Sequence, residues 1–236
     1  MQILSDFLGK ILKFIFEALQ GIGAEPASVS YYALSIILMS VLMKLITMPL
    51  MLKSSKNAEK MQSLGPKQKE IQEKYKKDPE TLNRELMKLY KEENISPTGG
   101  CLPMILNLII VFAMLSVIRD PAKHMFENKE LINTIAKNFF WIKDITGPDP
   151  LKFGLPLLYS LSMFLYSSIL SSQTPKAPNQ NMQSMNMMTK YMLPVMMFFF
   201  SWTWPAGLLL YWGTGNVVEI LVRFISKSFI KQGEEK

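Results

Sequence analysis

Two charged residues interrupt apolar stretches of this chain, and each of these charges needs a physical reason. Lys44 lies about 13 residues inside the apolar segment that begins at Tyr31, and Glu219 lies about 14 residues beyond Pro205. In a helix these separations correspond to depths of about 20 and about 21 Å. A charge deep in a bilayer costs about 2.5–3.5 kcal/mol on insertion scales. The similar depths and opposite signs suggest that these side chains form a pair or share one cavity.

Lys44 has two interpretations, which the sequence leaves open. About 10 Å of hydrocarbon separates it from the nearer face of a 30 Å core, so its ammonium group could simply extend to the interface. The functional interpretation is a hydrated, charged cavity open to the cytoplasm. Ser40 lies one helical turn earlier on the same face, and Asn107 in the next apolar segment could supply another polar wall.

The residue types do not favour covalent or metal chemistry. The single cysteine, Cys101, can form neither an internal disulfide nor a zinc site, so we interpret it as a small buried thiol. The single histidine, His124, lies in a polar stretch without ligands at useful spacing, so we interpret it as a surface residue. Because no nucleophile–base pair is recognisable, we expect no catalytic residue, no cofactor and no metal.

The distribution of charge predicts a helical membrane protein. Hydrophobic residues make up 49% of the chain, and the 26 Lys and Arg cluster between long apolar stretches. A net charge of +7 is compatible with nucleic-acid binding. In a membrane protein, however, basic loops mainly set orientation, so we expect no specific DNA binding.

Five apolar segments predict five transmembrane helices, since about 20 helical residues cross a bilayer. The fourth segment is short, which implies a tilt or a locally thinned bilayer. A Pro-Ala-Gly turn at residues 205–207 separates it from the fifth. The predicted spans are residues 31–52, 99–118, 153–170, 189–204 and 206–226.

Residues 1–23 predict an amphipathic helix that lies in the membrane interface. A signal peptide is excluded because polar residues break the apolar centre that it needs. The predicted polar stripe comprises Gln2, Ser5, Asp6, Gly9, Lys10, Lys13, Glu17 and Gln20. The predicted apolar face comprises Leu4, Leu8, Ile11, Ile15, Ala18 and Leu19, with Phe14 at its edge.

The largest polar segment, residues 53–98, predicts a cytoplasmic helical hairpin. Its apolar stripes indicate helices at about 57–77 and 80–94, and Asp78-Pro79 between them is a turn followed by a helix-starting proline.

The remaining polar segments and their charges predict the orientation. Residues 119–152 form an external loop with some helix, 171–188 a cytoplasmic loop and 227–236 a cytoplasmic tail. With Lys190 and Arg223 included as the basic residues at the cytoplasmic ends of the last two spans, the hairpin side holds 17 Lys and Arg, and the other side, residues 1–30 and 119–152, holds 8. The hairpin and the C-terminus should therefore be cytoplasmic, and the N-terminus outside.

Weaker features each have a packing alternative. The methionines in Met182–Met197 could form an adaptable surface for apolar partners or serve as flexible filler. Tyr211 and Trp212 could face a substrate or pack between helices. Gly213 and Gly215 favour close helix contact.

Short motifs run in a fixed order from about residue 30 to residue 226. The first group comprises MQSLGPK at 61–67, KYK at 74–76, LYKE at 89–92 and SPTGGCLP at 96–103. The second comprises WIKD at 141–144, DP at 149–150, LP at 155–156, LP at 193–194 and WPAGLLLYW at 204–212. This ordered set resembles the YidC/Oxa/Alb family of membrane protein insertases, in its bacterial YidC form.

The resemblance implies a fold, a function and a location. The family has a five-helix core with a cytoplasmic hairpin and, in many bacterial members, an interfacial helix. Its members act as insertases and chaperones without covalent chemistry. A hydrophilic groove open to the cytoplasm and to lipid receives short polar or acidic client segments, and the client helix then slides into the bilayer. The implied partners are nascent membrane proteins and lipids, with the ribosome and the Sec translocon as further candidates, in the bacterial cell membrane.

The resemblance also assigns roles to individual residues. Lys44 stands where the family has a groove arginine, and Ser40 stands at a polar groove position. Asn107 replaces a usual glutamine, and Tyr211 and Trp212 match an aromatic pair on the client-facing fifth helix.

Glu219 departs from the family pattern, because its charge would partly neutralise the groove. A small-solute transporter or channel with a charged cavity remains the alternative function. A transporter should show pseudo-repeats and broken helices in both halves, and neither is recognisable here.

Overall fold

The structure is a computed structural model of the 236-residue chain. It describes residues 1–96, 102–126, 134–173 and 187–234, with the side chains of 58–59, 62, 102, 171–173 and 226–234 excepted. The predicted start of the second span at residue 99, Cys101, most of the loop at 171–188 and the methionines before residue 187 lie outside the described residues.

The described residues form helices joined by turns and isolated β-bridges, which confirms the predicted all-α class for this part of the chain. The first six helices are α1 (Gln2–Gln20), α2 (Tyr31–Ser63), α3 (Gly65–Lys74), α4 (Pro79–Glu92), α5 (Leu102–Arg119) and α6 (Pro121–His124). They are followed by α7 (Leu155–Gln173), a π-helical turn (Met188–Met192), α8 (Leu193–Ser201) and α9 (Ala206–Glu234).

Helix α9 occupies the centre of the bundle, where it packs against α2, α5 and α7, while α1 lies across α2 and α5. The buried core joins the first turns of α2 and α9 to the last turns of α5. Its largest fully buried side chains include Tyr32, Ile36, Met114, Ile118 and Leu208. We call this end of the bundle the core end, and the opposite end, which carries α3 and α4, the hairpin end.

Large apolar side chains cover the outside of the bundle between these two ends. Exposed examples are Leu42, Leu45 and Ile46 on α2, Ile105 and Phe112 on α5, Leu161 and Leu165 on α7, and Leu221 and Phe224 on α9. Two helical segments among the described residues, Tyr31–Asn57 and Ala206–Ile225, are long and apolar enough to cross a membrane. Pro103–Arg119 and Leu155–Leu170 are shorter apolar helices. An apolar surface of this extent is typical of a protein that contacts lipid.

Helix α2 does not end at residue 52, where the sequence predicted the end of the first span. It continues to Ser63 and breaks only at the Leu64-Gly65-Pro66 sequence. The reason is that residues 53–63 are mostly strong helix formers, so a change from apolar to polar residues does not stop the helix.

The turn of the hairpin lies where Asp78-Pro79 predicted it. The Asp78 side chain accepts a hydrogen bond from the backbone N–H of Thr81, 3.1 Å away, and caps α4. Hydrogen bonds from Thr81 hold the pKa of Asp78 below its usual value. Leu64, Leu89 and Ile95 form a small core between the hairpin helices.

The predicted fourth span is not one regular helix. Pro194 has no N–H with which to bond the carbonyl of Lys190 in an α-helix, and the chain forms a π-helical turn at Met188–Met192 instead. The hydroxyl of Ser167 in α7 donates to that carbonyl at 3.3 Å. Downstream, α9 runs to Glu234, so residues 227–234 of the predicted tail continue the helix.

The predicted polar stripe of α1 is wrong at two positions. Ser5 and Gly9 are buried: the Ser5 hydroxyl donates to the Ala113 carbonyl at 3.3 Å, and a Cβ on Gly9 would lie 2.2 Å from the His124 carbonyl oxygen. Small size, rather than polarity, therefore suits both residues to contact with α5 and α6. Apolar side chains are exposed on α1 instead, at Ile3 and Phe7 among others.

The interpretation of His124 as a surface residue is also wrong, because its side chain is buried beneath α1. Its Nδ1 lies 2.7 Å from Asp6 Oδ1, and its Nε2 lies 3.0 Å from Ser116 Oγ. The polarity of the neighbouring residues hid this contact, since the partner on α1 is more than a hundred residues away in sequence.

Candidate functional site

A polar cluster between α2, α5 and α9 contains three of the residues that the sequence singled out. The Lys44 ammonium donates to Glu219 Oε1 at 2.6 Å and to Asn107 Oδ1 at 3.0 Å. The Lys44 and Glu219 side chains are only 9% and 14% exposed. The structure therefore brings together the two charges that the sequence placed at similar depth.

Gly215 makes room for this contact. A Cβ at residue 215 would lie 2.7 Å from Lys44 Cε, so the lysine side chain crosses α9 where that helix carries no side chain. Glu219 follows one helical turn later. Gly213 has no such neighbour, since the nearest atom to its Cβ position is 3.9 Å away. The sequence predicted close helix contact for both glycines without distinguishing them.

Glu219 has further neighbours on α7 and α9. Tyr166 of α7 lies close enough to interact electrostatically with both Glu219 and Arg223, and the Arg223 guanidinium lies 5.7 Å from the Tyr166 ring centroid. The cluster therefore alternates in charge from Lys44 through Glu219 to Arg223. Tyr166 and Arg223 are not among the site residues predicted from the sequence, although the spacing of Glu219 and Arg223 places them on one helix face.

A cavity of about 30 Å³ adjoins the ion pair. This volume holds about two water molecules and is too small for a peptide segment. Its polar walls are Lys44, Thr47, Asn107 and Glu219, and its apolar walls include Met43, Leu50, Leu106 and Ile110. A client segment can therefore enter only when side chains around the cavity move.

The other predicted site residues lie at the margin of this cluster. The Ser40 hydroxyl donates to the Tyr211 carbonyl at 2.5 Å, and both residues are almost fully buried. Tyr211 lines the cavity, while Ser40 joins α2 to α9 on the side of the core end.

Trp212 faces away from the cavity, toward α7. Its ring stacks on Trp204, with centroids 5.9 Å apart, and lies 5.6 Å from the Tyr159 ring. The structure thus separates the predicted aromatic pair: Tyr211 contacts the cavity, and Trp212 packs between helices.

The site offers an ammonium, a carboxylate, an amide and a guanidinium between the helices of an apolar bundle. Such groups bind polar or charged partners reversibly, and the long side chains of Lys44, Glu219 and Arg223 can exchange one partner for another. The buried core closes the core end, so access to the cluster is from the side of the hairpin or from the apolar outer surface.

Comparisons with known proteins match this architecture. The model of the family described as 60Kd inner membrane protein matches residues 25–234. A membrane protein insertase YidC from Clostridium perfringens is 32% identical over 248 residues, with 100% of this chain and 98% of that protein covered. A membrane protein insertase YidC from Francisella philomiragia is 39% identical over 197 residues, which cover 84% of this chain and 32% of the relative.

The chain thus spans about a third of the length of the Francisella relative and nearly all of the Clostridium one. A crystal structure described as an active YidC insertase with its first transmembrane domain resolved has the same fold, with a TM-score of 0.64 at 24% identity. That similarity covers 93% of this chain and 46% of the solved one. On the family match and the Clostridium relative, this chain belongs to the YidC family of membrane protein insertases.

Proposed function

We propose that this protein is a membrane protein insertase and chaperone. The observation that carries the proposal is the shielded Lys44–Asn107–Glu219 cluster, which lies between helices of a bundle with an apolar outer surface. A polar segment of a client needs such groups while it crosses the hydrocarbon layer, because each unpaired polar group there costs several kcal/mol. The names of the relatives support the same activity.

The proposed membrane arrangement has five crossing segments: α2, α5, α7, the π-helical turn with α8, and α9. The charge distribution supports an orientation with α3 and α4 in the cytoplasm and the core end outside. Helix α1 then lies in the outer interface, and its exposed side chains Ile3, Phe7 and Phe14 contact lipid. The π-turn with α8 spans only residues 188–201, so the bilayer is thinned there.

The proposed mechanism has no covalent step. Transfer of the apolar client helix into lipid provides the driving force, at about 0.8 kcal/mol for each buried methylene group. The cluster lowers the barrier for the polar flank of the client by replacing part of its water shell. Since the cavity has room for about two waters, side chains that line it, such as Met43, Leu50 and Leu106, must move when a client segment enters.

The proposed partners are nascent membrane proteins and the lipids of a bacterial cell membrane. The hairpin presents a cytoplasmic surface on which Lys88 and Lys91 adjoin Tyr90 and Ile95. The ribosome and the Sec translocon are candidate partners for this surface.

Insertion into liposomes tests the function. A single-span client with a short polar outer tail is synthesised in the presence of empty liposomes, wild-type liposomes or variant liposomes, and protease protection reports its insertion. We expect insertion with the wild type and a strong loss with Lys44→Ala. Lys53→Ala is the matched control, because it removes an exposed lysine from the same helix. Insertion equal to that of empty liposomes would overturn the proposed function and favour a transporter.

A further inference from the structure

The polar cluster of Lys44, Asn107 and Glu219, which we propose as the client groove, contains its own counter-charge. Lys44 is paired with Glu219 at 2.6 Å, and both side chains are largely shielded from solvent. In such surroundings two charges attract strongly, and removal of one partner leaves the other charge buried and uncompensated. The positive charge of Lys44 therefore does not act alone on an approaching client.

Glu219 is held in this place by Lys44, which contacts it from α2. Tyr166 of α7 lies near Glu219, with the Arg223 guanidinium beside its ring. A carboxylate that is fixed in this way occupies the position where an acidic side chain of a client would meet the Lys44 ammonium. The adjoining cavity is lined by Lys44 and Glu219 together, so a carboxylate that enters it meets the negative charge of Glu219 as well as the ammonium.

An ammonium group has three N–H donors. Two of those on Lys44 serve Glu219 and Asn107, and the third can serve a carbonyl or hydroxyl group of a client without disturbing the pair. A client carboxylate, in contrast, competes with Glu219 and adds a second negative charge to the cluster.

We propose that Glu219 sets client selectivity in this groove, which favours polar segments without net negative charge. This inference rests on the proposed insertase function. Its central consequence is that selectivity follows the summed charge of residues 44 and 219 rather than the presence of a positive residue at position 44.

The test uses two clients with the same transmembrane helix, one with a tail of Ser and Asn and one in which two tail residues are Asp. Insertion into liposomes is measured for the wild type, Glu219→Gln, Lys44→Gln and the double variant Lys44→Gln/Glu219→Gln. The readout is the ratio of acidic-client to neutral-client insertion, which cancels differences in the amount of folded protein between variants.

We expect the wild type to insert the neutral client better than the acidic one. Glu219→Gln should raise the ratio about tenfold, the factor that corresponds to 1.4 kcal/mol. Lys44→Gln should lower it, and the double variant should return it to the wild-type value, because the pair is again neutral.

Two results would overturn the inference. One is an unchanged ratio in Glu219→Gln. The other is a double variant whose ratio falls to that of Lys44→Gln, which would mean that Lys44 attracts acidic clients despite Glu219. Failure of the wild type to insert either client beyond empty liposomes is a different result, because it refutes the insertase function itself.

Discussion

The core end of the bundle and the Lys44–Glu219 cluster treat buried polar groups differently. At the core end, Asp149 accepts hydrogen bonds from Trp141 Nε1 at 3.0 Å, from the Leu151 N–H at 2.8 Å and from the Leu155 N–H at 2.7 Å. In the Lys44–Glu219 cluster, the charged ends of two long, flexible side chains contact each other beside a cavity. Contacts to backbone N–H groups fix a position, whereas contacts between flexible side chains can be exchanged. The core end is therefore built to stay closed, whereas the Lys44–Glu219 cluster can open.

His124 extends this contrast. Its ring joins α1 to α5 through Asp6 and Ser116, with both nitrogens engaged. The hydrophobic core around it is tightly packed, and Gly9 lies against the His124 backbone. The helix that we place in the outer interface is therefore part of the closed end rather than a loosely attached element.

The largest effect should follow from loss of the carboxylate at the core end. Asp149→Ala leaves three N–H donors without their acceptor in a largely buried site, and we expect a loss of about 3 kcal/mol or more in the free energy of unfolding. Thermal unfolding in detergent measures it. Asp144→Ala is the matched control, because the Asp144 side chain is half exposed. Equal destabilisation by both variants would contradict a special role for the buried Asp149 contacts in the stability of the core end.

A smaller loss should follow from Gly9→Ala. The added methyl group would lie 2.2 Å from a backbone oxygen, so α1 must shift, at a cost of about 1–3 kcal/mol. Gly23→Ala is the control, since nothing lies within 4 Å of that Cβ position. Protease cleavage after residue 20 should become faster in Gly9→Ala alone, and an unchanged rate would show that α1 is not fixed by this contact.

Gly215→Ala should affect activity more than stability. Its methyl group would meet the flexible end of Lys44 rather than backbone, so the lysine can move aside at the expense of its contact with Glu219. We expect a change of less than about 1 kcal/mol in stability but a severalfold change in client insertion. Gly213→Ala, which meets only ordinary contacts, should change neither. A large loss of stability in Gly215→Ala would show that the groove is as rigid as the core end.

The smallest effect concerns the hairpin and depends on pH. Because folding lowers the pKa of Asp78 from 3.8, its cap on α4 is fully formed above that value and is lost as the pH falls through the lowered pKa. The NMR shift of the Thr81 amide should therefore change in acid. In Asp78→Asn, whose side chain caps the helix but does not titrate, that change should be absent. A transition that persists in Asp78→Asn would have another cause.

The sequence was informative where one residue alone violates its surroundings. Lys44 and Glu219 are charges in apolar segments, so their depth could be estimated from helix geometry, and Asp78-Pro79 carries its turn in two adjacent residues. Contacts between distant segments were not accessible in this way. The burial of His124 depends on the position of α1, and the packing of Trp212 depends on the rotation of α9 against α7. Tyr166 gains its charged neighbours only from the position of α9 beside α7.

Cross-linking of an arrested client shows whether its polar segment passes through the Lys44–Glu219 cluster. A client halted during insertion carries a photoreactive group in its polar segment, and cross-links are mapped on the groove and on the opposite side of α2. We expect cross-links to the neighbourhood of Thr47, which lines the cavity, and few to Leu45, which is exposed on the same helix. Cross-links mainly to Leu45 would mean that the polar segment passes along the outer surface and would contradict the role of the groove.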